Sequence, residues 1–230
     1  MNGFERHGID HLSASSLNLF TNAPDVWVMQ YLHGKRTPAG PAMWRGIAAE
    51  DGVVAALSGD AIEDAILMAE DLFDKKIMIG DEASAKERAL IGPMIQQAVD
   101  ALAQYGKPAF ADDGSQMKIS ITAKGDGWEI PVIGFLDLVF PEHGLVVDLK
   151  TTSRIPSQMS PEHQLQRAIY SGAMGNSAVK FLYTSPKKTA MLEDGDVAEI
   201  LAKAKVQITR MEAFLRKLDA EEARAVVPLN

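Results

Sequence analysis

Cysteine is absent from the 230 residues of this protein. Its absence excludes disulfide bonds, thiolate zinc sites, cysteine-ligated iron–sulfur clusters and a thiol nucleophile. The chain also lacks an apolar run approaching the roughly 18 residues of a membrane span. The N-terminal segment MNGFERHGID lacks the apolar core of a secretory signal. We therefore expect a soluble, cytoplasmic protein with no membrane partner.

Basic side chains are scarce, since 23 Lys and Arg face 31 Asp and Glu, for a net charge of −8. This balance argues at first against a nucleic-acid partner, because phosphate contacts need Lys and Arg. The acidity is concentrated, however: residues 51–100 carry four basic and eleven acidic side chains, a net of −7. We expect a solvated acidic helical face there. The remaining segments are nearly neutral, so the overall charge does not exclude DNA.

The order of the predicted elements indicates a mixed α/β (α+β) domain. With 230 residues, one large domain is expected, since a domain holds about 150 residues. Its N-terminal part, about 1–110, is predicted to be helical, and a sheet with flanking helices is predicted for about 111–230.

Several residues in the N-terminal part are typical of helix starts and helix ends. Pro24 separates two short predicted helices, and a further helix is predicted from about 43 to 57. We expect Asp60 to cap the next helix. Ser84 and Glu87 have the spacing of a capping box for another helix, which would end near residue 106.

Strand-like alternation begins after residue 116. The strands are predicted at 117–123, 128–140, 145–150 and 179–183, with helices at 160–174 and 196–218. A tight turn at 124–127 would join the first two strands. The loop Pro141-Glu142-His143-Gly144 would close an antiparallel hairpin in which Phe140 faces Leu145.

Two acids interrupt apolar strands in that hairpin. With Phe140 opposite Leu145, Asp137 falls opposite Asp148, and Lys150 lies on the Asp148 face two residues further on. Apposed buried carboxylates are costly unless they are compensated. They therefore suggest a divalent cation, and Mg²⁺ suits oxygen ligands of this kind. The simpler alternative is an Asp148–Lys150 contact with Asp137 at a strand end or bulge.

Asp137, followed ten residues later by Asp148-Leu149-Lys150, resembles the PD-(D/E)xK nuclease signature, with Gly134-Phe135-Leu136-Asp137 replacing the literal Pro-Asp. The resemblance implies a restriction-endonuclease-like core with a central mixed sheet between helices.

Three further segments are similar to the RecB-like and lambda-exonuclease-like branch of that superfamily, over roughly residues 12–185. They are Gly46 to Glu50, Gln166 to Tyr170, and the N-terminal entry Leu12 to Tyr31. Some branch members carry an iron–sulfur cluster, which this cysteine-free chain cannot hold through thiolates.

The resemblance implies a role for each matching residue. Glu50, Asp137, Asp148 and the Leu149 carbonyl would bind Mg²⁺ or Mn²⁺, and Lys150 would assist the nucleophilic water. Gln166 and Tyr170 would support Lys150 or contact the DNA backbone; the alternative is an ordinary i,i+4 pair on a helix surface. Further candidate DNA contacts are Ser13, Ser15, Arg45, Thr151, Thr152 and Arg154. For Ser13 helix capping is the alternative, and for the segment 151–154 a polar loop. We assign no catalytic role to His143 or His163.

The expected function is metal-dependent hydrolysis of DNA phosphodiester bonds, by an exonuclease of recombination or repair more readily than by an endonuclease. A catalytically silent nucleic-acid-binding module of the same fold is one alternative. A Mg²⁺-dependent phosphotransferase is another, although the chain contains no Walker A motif. A homo-oligomer is possible: the apolar 4-3 spacing from Val197 to Leu218 fits a packed helix face and also a coiled-coil interface.

Overall fold

A computed structural model describes residues 2–77, 80–111, 116–121, 128–175 and 177–219. The helices are α1 (Gly3–Arg6), α2 (Ala14–Asn22), α3 (Pro24–Tyr31), α4 (Pro41–Ser58), α5 (Ile62–Lys76), α6 (Glu82–Arg88), α7 (Ile91–Leu102), α8 (Pro161–Met174) and α9 (Val197–Lys217). The strands are β1 (Met117–Ile121), β2 (Val132–Leu136), β3 (Leu138–Phe140), β4 (Leu145–Thr151), β5 (Ala178–Thr184) and β6 (Thr189–Leu192). Within the described ranges, we find no helix both long and apolar enough to span a membrane.

The central sheet is mixed and has the strand order β3-β4-β5-β6. Strands β4 and β5 are parallel, whereas β3 and β6 run antiparallel to their neighbours. The register pairs Phe140 with Leu145, which confirms the predicted hairpin. Strands β1 and β2 form a separate antiparallel pair. The mixed α/β architecture is therefore as predicted.

Helices cover both faces of the central sheet. Successive residues of β4 point to opposite faces, so Val146 joins one hydrophobic cluster and Val147 the other. The first cluster includes Trp27 and Met211, and the second includes Phe73. A strand covered on both faces reads as a continuous apolar run, which is why a charged residue within β4 stands out.

Helix α9 uses its predicted apolar face inside the protein. Ala204, Ile208, Met211 and Leu215 are buried, and three of them belong to the first hydrophobic cluster. The 4-3 spacing therefore marks a packed helix face. The coiled-coil interface suggested for this face is not supported, because the same side chains fill the core.

The structure corrects two predicted helix caps and adds one strand that was not predicted. Helix α5 begins after Ala61 without a side-chain cap, so Asp60 does not cap it. Asp81 caps α6 by accepting from the Ser84 amide, so the predicted capping box is wrong. The one helix predicted here is two helices, α6 and α7. Helix α7 begins at Ile91, so Pro93 lies in its first turn, where proline is tolerated. Strand β6 was not predicted, and the turn at 124–127 lies outside the described residues.

Candidate active site

The predicted site residues reach one region from four elements. Helix α4 carries Glu50, and Asp137 occupies a bend between β2 and β3. Strand β4 supplies Asp148 and Lys150, while α8 supplies Gln166 and Tyr170. A cleft of about 1230 Å³ opens over this region, lined by Glu50, Asp137, Lys150, Gln166 and Tyr170 among others. Asp148 lies beneath, only 1% exposed.

The bend at Asp137 decides where its carboxylate points. The β3–β4 ladder ends at the pair Leu138 and Val147, so Asp137 does not continue it opposite Asp148 as expected. Instead, Asp137 Oδ2 accepts a 2.9 Å hydrogen bond from the Leu149 amide. In a strand, the N–H and C=O of one residue face the same edge. The Leu149 carbonyl therefore faces the edge at which Asp137 lies.

Asp148 makes one ion pair and accepts one hydrogen bond. Its Oδ1 lies 2.6 Å from the Lys150 ammonium, and its Oδ2 accepts a 2.7 Å hydrogen bond from the Gln166 amide. The simpler alternative, an Asp148–Lys150 contact with Asp137 at a strand end, is thus present in the structure. It coexists with the convergence of three carboxylates.

Gln166 is hydrogen-bonded to Asp148 and to Tyr170, and among the described residues no hydrogen bond joins either of them to Lys150. The Gln166 side-chain amide donates to Asp148 and also to the Tyr170 hydroxyl, at 2.8 Å. The Tyr170 ring lies against β2 at Gly134, where an added Cβ would overlap the ring. Glycine at 134 is therefore required by the close approach of α8, and the Gln-x-x-x-Tyr pair couples that helix to the carboxylate.

Gln116 connects the other two carboxylates and was missed by sequence reasoning. Its Nε2 donates to Glu50 Oε1 at 2.6 Å and to Asp137 Oδ1 at 3.2 Å. The residue directly precedes β1, and a single glutamine before a strand carries no recognisable signal. Only the packing of β1 against β2 brings it between α4 and the bend at Asp137.

Burial and mutual repulsion raise the pKa values of the three carboxyl groups. Burial, followed by the Asp148 and Asp51 charges, raises the Glu50 pKa from 4.5 to about 7. Burial and the charges of Asp148 and Glu50 raise the Asp137 pKa well above its ordinary value. Burial also raises the pKa of Asp148, against the opposing effect of Lys150. Negative charge at this site is therefore incompletely compensated by the protein.

Lys150 remains an ammonium at neutral pH. Burial by itself would lower its pKa, but the charges of Asp148, Asp137 and Glu50 together raise it. The ammonium lies 5.3 Å from the centroid of the Phe181 ring, which is a further favourable contact for a cation. Lys150 is suited to donate hydrogen bonds or stabilise negative charge, and not to accept a proton.

Of the additional candidates for DNA contact, two serines line the cleft and Arg45 is buried. Ser13 and Ser15 line the cleft, although Ser13 also caps α2 by accepting from the Ser16 amide. Arg45 is only 7% exposed and pairs with Glu87 and Thr151, joining α4 to α6 and the end of β4. We therefore leave Arg45 out of the proposed DNA contacts.

A second cavity of about 440 Å³ lies next to the cleft, and Lys150 lines both. Thr151, Thr152 and Arg154 also line this cavity. His163 lines both as well, and its Nδ1 lies 2.6 Å from the Tyr183 hydroxyl. Burial and the Lys150 charge lower the pKa of His163. The position of His163 in the first turn of α8 did not predict that it would line the cleft and the second cavity.

The chemistry of the donor set fits a divalent cation. In the described part of the chain, no three His, Cys, Asp or Glu side chains form a ready metal-binding group as they are placed. However, Glu50 and Asp137 share the Gln116 amide as a donor, and burial together with the Asp148 charge raises the pKa values of both. Oxygen ligands with surplus negative charge are those that Mg²⁺ and Mn²⁺ prefer.

The mixed sheet, its covering helices and the acidic cluster at the bent strand define a restriction-endonuclease-like fold. A profile of the PD-(D/E)XK nuclease superfamily matches residues 11–228, and this chain belongs to that superfamily. No curated protein matches the chain. Membership implies a nucleic-acid substrate, and nucleases of this superfamily generally use divalent metals such as Mg²⁺.

Proposed function

We propose that this protein is a metal-dependent DNA nuclease of the RecB-like and lambda-exonuclease-like branch, with residues 1–230 forming a single nuclease domain. The observation that carries the proposal is the convergence of Glu50, Asp137, Asp148 and Lys150 on one cleft from a helix, a strand bend and a buried strand. Buried charges of this kind are costly to a fold unless they are compensated, and their concentration at a cleft is typical of functional sites.

Glu50, Asp137, Asp148 and the Leu149 carbonyl would hold Mg²⁺ or Mn²⁺. The bound metal would polarise a phosphoryl oxygen and lower the pKa of a coordinated water. Gln116 donates to two of the proposed ligands, Glu50 and Asp137. These contacts keep the two carboxylates together when no metal is bound, because a shared donor reduces their repulsion.

Lys150 would act as a fixed positive charge beside the scissile phosphate. Its raised pKa keeps it protonated, so it can stabilise the negative charge that develops on the phosphate oxygens. Asp148 anchors the ammonium at 2.6 Å. Gln166 would act as a positioning residue, because its amide donates to Asp148, and Tyr170 would act through its hydrogen bond with Gln166.

DNA would bind across the cleft with help from the metal. The described cleft-lining residues include four carboxylates, Glu50, Asp51, Asp137 and Glu162, beside the Lys150 ammonium. Phosphate would be repelled from such a surface until a cation neutralises it. Ser13 and Ser15 in the cleft, and Thr151, Thr152 and Arg154 in the adjoining cavity, would supply neutral and basic phosphate contacts.

Within this function we favour an exonuclease of recombination or repair, as the resemblance suggests. The test is a time course on end-labelled linear DNA and on closed circular DNA, with Mg²⁺, Mn²⁺ or EDTA. Metal-dependent loss of linear DNA with intact circles would support an exonuclease. Nicked or linearised circles would support an endonuclease of the same family.

The matched control separates this chain from a contaminating nuclease. Asp148→Asn, purified in the same way, should produce no metal-dependent cleavage, whereas Asp71→Asn on the exposed surface of α5 should cleave like the parent. If the parent protein yields no metal-dependent product on any substrate, the nuclease proposal fails. Metal-dependent DNA binding would then favour the catalytically silent binding module.

A further inference from the structure

Phe135 places an exposed aromatic ring beside the candidate carboxylates. It is 47% exposed on β2, two residues before Asp137, and it lines the same cleft as Asp137 and Lys150. The alternate residues of β2 explain the exposure, since Val132, Gly134 and Leu136 face the protein interior. An isolated exposed apolar residue is unremarkable in general, but this one is inside the proposed substrate cleft.

The backbone under the ring is fixed to the site. Gly134, the residue before Phe135 on β2, packs against the Tyr170 ring. Tyr170 accepts from Gln166, which donates to Asp148. These contacts connect β2, at the residue before Phe135, to Asp148.

A lysine lies directly across from this ring. Phe135 pairs with Lys118 in the β1–β2 register, and directly opposed residues project from the same face of a sheet. Lys118 is exposed. The face thus presents an aromatic surface and an ammonium at neighbouring positions. Aromatic side chains that stack on bases, next to cations that contact the backbone, are the usual elements of single-strand binding.

We propose that Phe135 stacks on an unpaired base of the substrate strand and that Lys118 contacts the phosphate backbone of that strand. The strand being cut would then occupy the cleft single-stranded. This inference rests on the proposed nuclease function. Inside a duplex each base is covered on both faces by its stacked neighbours, so a ring can reach the face of an internal base only after that base is unstacked. Duplex DNA would accordingly be cut from frayed or single-stranded ends.

Binding measurements in a cleavage-deficient background test the stacking. In full-length Asp148→Asn protein with Mg²⁺, anisotropy of a labelled single-stranded 20-mer would be compared with that of a blunt hairpin duplex. Adding Phe135→Ala should weaken single-strand binding about 5- to 100-fold and change duplex binding little. Phe135→Trp should retain affinity. The matched truncation Leu67→Ala, at an exposed apolar position on α5, should have no effect.

An abasic scan locates the stacked base. Removing one base at a time from the 20-mer should reveal a position whose loss weakens the Phe135-containing protein but not the Phe135→Ala protein. Lys118→Ala should weaken binding and reduce the slope of log affinity against log salt by about 0.7. Lys203→Ala, a surface lysine paired with Glu199 on α9, should leave that slope unchanged.

Two results would overturn the inference: unchanged single-strand affinity in Phe135→Ala, or an equal loss for single-stranded and duplex DNA. Either could occur with full cleavage by the parent protein, which would leave the nuclease function standing. Conversely, a parent protein that cuts no DNA but shows the Phe135-dependent binding would refute the nuclease proposal and retain this surface as a single-strand binding site.

Discussion

Replacing Glu50 by glutamine should make the metal-free protein more stable at alkaline pH. The folded-state pKa of Glu50 is about 7, above the ordinary value of 4.5, chiefly because the side chain is buried and lies near Asp148. Between these pH values the folded protein binds more protons than the unfolded chain, so stability falls as pH rises. The stability associated with protonated Glu50 is complete below pH 4.5 and is lost as pH rises through 7.

The size of the effect follows from the same values. A rise from 4.5 to about 7 corresponds to about 3 kcal/mol in the free energy of unfolding, of which roughly 2.5 kcal/mol falls between pH 5 and 8.5. Glu50→Gln removes this titration. The glutamine side chain has nearly the same shape, and its oxygen can still accept the hydrogen bond from Gln116. The free energy of unfolding of the parent relative to the variant should therefore decline by that amount over this range.

Urea unfolding in EDTA across pH 5 to 8.5 measures the difference. Comparing parent and variant at each pH cancels opposite contributions from other groups, such as His163, whose pKa is lowered. Asp71→Asn, an exposed carboxylate paired with Lys75 on α5, is the control and should show a constant difference. A difference for Glu50→Gln that does not change with pH would refute the reasoning.

Mg²⁺ should partly reverse the alkaline loss of stability. A ligand at ten times its dissociation constant stabilises the folded state by about 1.4 kcal/mol. The increment should grow with pH as the carboxylates deprotonate, and it should be smaller in Glu50→Gln. Equal increments in the two proteins would remove Glu50 from the proposed metal site.

The remaining predictions concern the support of the site. Asp148→Asn should lower metal-dependent cleavage at least about 100-fold without changing the far-ultraviolet circular dichroism; substantial residual activity would remove it from the ligand set. Gln166→Ala should lower cleavage about 10- to 100-fold, and Tyr170→Phe less, because the Gln166–Asp148 hydrogen bond remains; the reverse order would contradict this assignment. Gly134→Ala should cost about 1–3 kcal/mol in urea unfolding, whereas Gly80→Ala, which has open space around it, should be neutral.

Local rules were sufficient for the central hairpin. The four residues 141–144 set the turn, and the period of two then determined that Phe140 pairs with Leu145. The apolar pattern of the strand also identified Asp148 as an acid within a buried strand. These inferences succeeded because turn length and side-chain alternation act over a few residues, where the sequence alone carries the information.

The bend at Asp137 was beyond such rules. The strand-like pattern from 128 to 140 predicts one strand, but the chain pairs first with β1 and then with β4. The change of partner turns Asp137 out of the ladder and directs its carboxylate to the Leu149 amide. A strand that leaves one sheet for another is a consequence of tertiary packing, which periodicity does not contain.

The absence of cysteine excluded thiolate chemistry, and the motifs Asp137…Asp148-x-Lys150 and Gln166-x-x-x-Tyr170 are sequence features that by themselves indicated the family. Only the tertiary structure joined Glu50 to Asp137 through Gln116, a residue 66 positions from Glu50. It also placed Gln166 in contact with Asp148, and it buried Arg45 in an ion pair with Glu87. Sequence spacing determines which side chains share a face of one element, whereas contacts between distant elements depend on how their faces pack.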